Sequence, residues 1–71
     1  MKGSELIRKI ENLAKKQHLT VEFRPRRGKG SHGTLIFCGR FAVVPDVKKE
    51  LKKGTMAAIL KQLEIDKSQL E

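Results

Sequence analysis

The stretch "GTLIFCGRFAVVP" at positions 33–45 decides the fold. It holds two short apolar runs, dense in β-branched and aromatic side chains, which suit a pleated, half-buried surface. The "CGR" between them is too short for anything but a tight hairpin turn, in which Gly39 can take a positive φ. The two runs therefore read as an antiparallel pair. Working backwards, "LTVEFR" (19–24) alternates, with Val21 and Phe23 on one face and Thr20, Glu22 and Arg24 on the other. That is a third, half-buried strand, ended by Pro25. Between it and the hairpin lies "RPRRGKGSHG" (24–33), a loop with four cations, three glycines and one histidine.

Helical patterns flank the strands. In "SELIRKIENLAKK", Leu6, Ile7, Ile10, Leu13 and Ala14 form one apolar stripe at helical period. Ser4 is a good N-cap and Glu5 suits the positive end of the helix dipole. The expected helix runs from Glu5 to Gln17, with the imidazole of His18 capping its carbonyl end. After Pro45, "DVKKELKKGT" lacks a clean period beyond a helical turn at Lys48 to Leu51, and Gly54 breaks any longer helix. Thr55 then caps "MAAILKQLE", whose stripe is Met56, Ile59, Leu60 and Leu63. The tail "IDKSQLE" is short and is expected to fray. The order α-β-β-β-α predicts a small two-layer α+β domain spanning 1–71, a three-stranded antiparallel sheet with both helices on one face. The other sheet face is left open.

Seventy-one residues are too few to wall a deep pocket, so any site is expected at the surface. Net charge is +8, and positions 24–53 hold nine cations against two anions, so that segment carries +7 of it. Such an excess speaks about partners rather than fold: nucleic acid, an anionic membrane surface or an acidic protein. With three Phe, no Trp and no Tyr, a stacking platform for single-stranded bases is poorly supplied. A DNA-reading helix is disfavoured too, because neither helix is densely basic on one face. The lone Cys38 ends an apolar run and reads as a buried, inert thiol in a reducing compartment. No apolar run nears the roughly 18 residues that span a bilayer. "MKGSELIRKI" lacks the apolar core of a signal peptide. The expectation is a cytoplasmic protein outside the membrane. With His18 and His32 the only imidazoles and no cysteine pair, neither a metal nor another cofactor is expected.

"GSH" before a strand, "VP" closing the next, then "KEL" and "GT…ILKQ" in that order resemble HicA toxins of bacterial and archaeal toxin–antitoxin pairs. The resemblance covers Arg27 to Ile65. It implies a fold similar to the double-stranded-RNA-binding domain, metal-independent mRNA cleavage by a single histidine, and neutralisation by a HicB-like antitoxin. The family's catalytic histidine falls on His32, and its Gly-Ser lead-in on Gly30 and Ser31. Three places depart from the family, one of them "QLEI" (62–65) where the usual end of the second helix is "QAGL". "QHLTVEF" stands where many members have Gly-Trp, and Asp46 follows Pro45 where many carry a second histidine.

The residues make chemical sense of that expectation. RNA carries its own nucleophile, the 2′-OH beside each phosphate. Attack by that oxygen leaves a 2′,3′-cyclic phosphate and a 5′-OH. Histidine is the side chain best matched to moving the proton at neutral pH. Arg24, Arg26, Arg27 and Lys29 supply charge for the phosphate, Arg as a two-point donor and Lys as a point charge. The backbone at Gly28, Gly30 and Gly33 can approach a phosphate closely, and Ser31 can donate a hydrogen bond or orient the ring. The general acid has no clear owner. Plainer readings stand beside these: the glycines as turn formers, His32 as a surface residue, and Lys48, Lys49, Lys52 and Lys53 as a solvated face rather than a phosphate track. The alternative at the level of function is a non-catalytic RNA-binding module of the same fold.

Overall fold

The structure is a computed structural model that describes residues 1–25 and 32–70. Helix α1 (Gly3–Gln17) is followed by strands β1 (Val21–Pro25), β2 (Gly33–Phe37) and β3 (Arg40–Val44). Helix α2 (Lys53–Leu63) and a 3₁₀ helix (Lys67–Leu70) complete the chain. The sheet order is β1-β2-β3, antiparallel throughout. The α+β expectation and its order of elements hold.

Register settles which side chains share a face. Val21, Phe37 and Arg40 form one cross-sheet row, then Phe23, Leu35 and Ala42, then Pro25, Gly33 and Val44. These rows face the helices. Leu35 and Val44 are fully buried, in one cluster with Leu6, Ile10 and Leu13 of α1 and Ile59, Leu60 and Leu63 of α2. The two intervening rows, Glu22–Ile36–Phe41 and Arg24–Thr34–Val43, point the other way. Both helices therefore cover the same face.

The β2–β3 turn is tighter than glycine alone would require. Phe37 pairs directly with Arg40, so only Cys38 and Gly39 turn the chain, with φ of 51° and 81°. Two positive φ angles in a two-residue loop are the signature of a type I′ turn, whose twist matches the flanking strands. Cys38 is consequently half-buried at a turn rather than buried within a strand. Its amide donates to the Thr20 carbonyl at 3.1 Å, tying the turn to the entry of β1.

Both helices begin earlier than their sequence caps suggest. The N-cap of α1 is Lys2, not Ser4, and no side chain caps it. The amides of Gly3 and Ser4 instead donate to the carbonyls of Lys49 (3.3 Å) and Val47 (2.9 Å). Leu51 in turn donates to the Met1 carbonyl at 2.9 Å, and the Met1 amino group pairs with the Glu50 carboxylate. Residues 46–51 are thus laid across the start of α1, and no helical turn forms at 48–51. Gly3 permits the close approach: a Cβ there would lie 2.5 Å from the Asp46 carbonyl oxygen. Helix α2 has Lys52 as N-cap, with Gly54 and Thr55 inside its first turn.

The carbonyl ends of the two helices are alike. His18 and Glu64 take left-handed φ of 55° and 56°. Backbone amides at 18, 19, 64 and 65 close the last turns, so His18 caps through its backbone rather than its imidazole. As far as Leu70 the tail is folded, ending in the 3₁₀ helix. Ile65 is buried and Leu70 packs against the core.

Candidate functional site

One end of the sheet collects the features that the sequence singles out. Pro25, Gly33 and Val44 are register partners there. His32 immediately precedes β2, the segment 26–31 joins Pro25 to His32, and the chain carrying Lys48, Lys49, Lys52 and Lys53 leaves from Val44. The predicted contributors Arg26, Arg27, Lys29, Gly30 and Ser31, together with Gly28, lie outside the described residues.

His32 is exposed, and it lines a shallow depression of about 400 Å³ with Arg24, Pro25, Gly33, Thr34 and Val43. The depression opens on the helix-free face, because Arg24, Thr34 and Val43 form an outward row. A substrate reaching the imidazole would approach over the sheet. The structure therefore brings together two of the predicted site residues, His32 and Arg24. The Arg24 Nε donates to Glu22 Oε2 at 2.5 Å, with both side chains largely in solvent. Exposed pairs of this kind contribute little stability. Among the described residues this is the one side-chain contact of the guanidinium, and it ties Arg24 to its neighbour along β1.

Gly33 has a different role from the one its loop position suggests. It is the first residue of β2, and it is buried. A Cβ built on it would lie 2.1 Å from Phe23 Cζ and 2.4 Å from Cε1. The Phe23 ring fills the space a side chain would need, so this glycine is a packing residue. The ring clamps the backbone directly beside His32. Sequence reasoning found the glycine but not its partner, since Phe23 lies ten positions away and meets it only through register.

The second imidazole does not join the first. His18 enters β1 from the Val21 end, across the length of the sheet from Pro25 and Gly33. Asp46 serves the backbone: its Oδ1 accepts from the Lys48 amide at 2.9 Å, turning the chain toward α1. Lys48, Lys49, Lys52 and Lys53 are all exposed, and among the described residues none pairs with a carboxylate. Both readings of that group, solvated face and phosphate track, are compatible with this.

Other depressions lie on the helical layer, two of them larger than that of His32. One runs past Lys9, Asn12 and Gln69, the other past Met56, Leu60 and Ile65, and neither contains a histidine or cysteine. Among the described residues no three His, Cys, Asp or Glu side chains gather as a metal site would require. No helix among the described residues is long and apolar enough to cross a membrane. No family model, curated protein or solved structure matches the chain.

Proposed function

We propose that the protein is an endoribonuclease of the toxin type, cutting mRNA with His32 as the base, on a fold like that of the double-stranded-RNA-binding domain. The observation that carries this is the placement of His32: exposed, at the head of β2, in an open depression shared with Arg24. The resemblance of "GSH", "VP" and "GT…ILKQ" to HicA toxins supports it from the sequence. In the proposed reaction His32 takes the 2′-OH proton. The 2′-oxygen bonds to phosphorus, the bond from phosphorus to the 5′-oxygen breaks, and that oxygen gains a proton. Arg24, with Arg26, Arg27, Lys29, Gly30 and Ser31, holds the phosphate and offsets its growing charge. A basic protein with this activity needs restraint in its own cell, and an acidic HicB-like antitoxin that covers His32 would supply it. Complementary charge would speed that association.

A second reading is a non-catalytic RNA-binding module. It is favoured by the absence, among the described residues lining the depression, of any second imidazole or a carboxylate to act as general acid. One experiment separates the two. Purified protein and a His32→Ala variant are incubated with RNA in EDTA, and the product ends are determined. The nuclease reading expects a cyclic phosphate and a 5′-OH from the wild type. The variant should lose about 10²–10⁴ in rate with its melting temperature unchanged. Intact RNA with wild-type protein, or a variant that cuts within a few-fold of wild type, removes His32 as the base.

A further inference from the structure

The helix-free sheet face carries a feature that the cleavage chemistry does not use. Phe41 is 65% exposed and Val43 is 59% exposed, more than any other large hydrophobic side chain among the described residues. Ile36 sits beside Phe41 in the same outward row, and Val43 stands in the next row toward His32. Of the chain's three phenylalanines, Phe37 is buried in the core and Phe23 is packed over Gly33. Phe41 alone is spent on the surface. Phe41, Val43 and Ile36 are neighbours on one face, so the exposed apolar surface is a contiguous patch rather than a scattered residue, and such a patch marks a binding surface.

We infer that Phe41 is a stacking site for an unpaired nucleobase of single-stranded RNA, one nucleotide or so from the scissile phosphate. This rests on the RNA reading above. Three observations favour nucleic acid over an apolar partner. The patch is narrow, one ring and two β-branched side chains, and it is bordered along β1 by the Arg24–Glu22 pair. It is continuous with the depression of His32 through Val43, which belongs to both. Arg24, exposed and cationic, lines that depression beside His32. A polyanion drawn there and continuing along the face would meet Phe41 next. Residues two apart on a strand are separated by roughly 7 Å, so Phe41 lies just beyond Val43. A flat aromatic on a sheet surface is the platform on which unstacked bases are held in other RNA-binding sheets. A single ring provides one base subsite, tolerant of base identity, rather than an extended platform.

Because the chain has no Trp and no Tyr, Phe41→Trp introduces a sole tryptophan fluorophore at the site. The measurement uses this substitution in the His32→Ala background, so that RNA is not consumed. It is titrated with an unstructured RNA oligonucleotide and with an abasic oligonucleotide of equal length and charge. Stacking predicts strong quenching by the RNA and little by the abasic strand. Phe41→Ala should weaken RNA binding roughly 5- to 100-fold, leaving the salt dependence unchanged because phosphate contacts are untouched. Phe41→Leu, which keeps apolar area but not the ring face, should weaken it nearly as much. Equal quenching by the abasic strand, or RNA affinity within twofold of wild type for Phe41→Ala, overturns the inference. The same holds if Phe41→Ala loses an acidic protein partner while keeping RNA, which would make the face a protein interface. The two proposals fail separately. Base-dependent quenching with no cleavage by the wild type would sink the nuclease reading and uphold the base site. His32-dependent cleavage with an unchanged kcat/KM in Phe41→Ala would do the reverse.

Discussion

The two faces of one small sheet use the same kinds of residue to opposite ends. On the inner face Leu35, Ala42 and Val44 are closed over by α1 and α2 and are at most 2% exposed. On the outer face Ile36, Phe41 and Val43 alternate with them, and Phe41 and Val43 lie mostly in solvent. Side chains one position apart on β3 thus differ in whether their removal from water contributes to folding. Apolar surface stabilises only where it is taken from water, at about 25 cal/mol per Å². The inner face therefore carries stability, and the outer face, continuous with His32, is open to other uses.

The largest effect on stability should come from Leu35→Ala. Leu35 is fully buried at the centre of the inner rows. Such truncations cost about 2–5 kcal/mol, and a domain of this size has roughly 3–5 kcal/mol in hand. The variant should be largely unfolded in a thermal or urea melt. A melting temperature close to wild type would mean that the inner face is not what holds the sheet to its helices.

A smaller effect, and a sharper one for the site, is expected from Gly33→Ala. The new methyl would overlap the Phe23 ring, which is a movable but packed group. Displacing it should cost about 1–3 kcal/mol. Phe23→Leu removes the atoms that clash, so the double variant should be more stable than the sum of the two single losses predicts. Strict additivity in a double-mutant cycle would show that the ring is not what demands a glycine beside His32.

The smallest effect should be on the outer face. Val43→Thr replaces an exposed β-branched side chain with another of similar shape and strand preference. Stability should stay within about 0.5 kcal/mol of wild type. A loss comparable with that of Leu35→Ala would erase the distinction between the faces and would show that the outer one is covered in solution.

Much of this was legible locally. The stripe Leu6, Ile7, Ile10, Leu13 and Ala14, the alternation of 21–24 and the two runs around Gly39 each announce their element through a period that neighbouring residues complete. His32 and Arg24 were also legible as candidates, from residue type and charge density. The helix starts were not. Ser4 and Thr55 are good caps by type, yet α1 is capped by carbonyls at 47 and 49, more than forty positions away. Lys48 to Leu51 looked like a helical turn because nothing local shows that these residues are laid against Met1 to Ser4. Ile65 and Leu70 looked like a loose tail because their partners are in the core rather than nearby in the chain.

By itself the sequence determined the number and order of the two α-helices and three strands, the alternation of β1 and the single imidazole at the head of β2. These follow from periodicity and from backbone preferences, which act over a few residues. The tertiary structure alone decided which parity faces the helices, that Phe23 occupies the space beside Gly33, and that Phe41 and Val43 continue the surface of the His32 depression. Each of these is a meeting of residues distant in the chain. The free energy that selects it comes from packing and hydrogen bonds that exist only once the strands are in register.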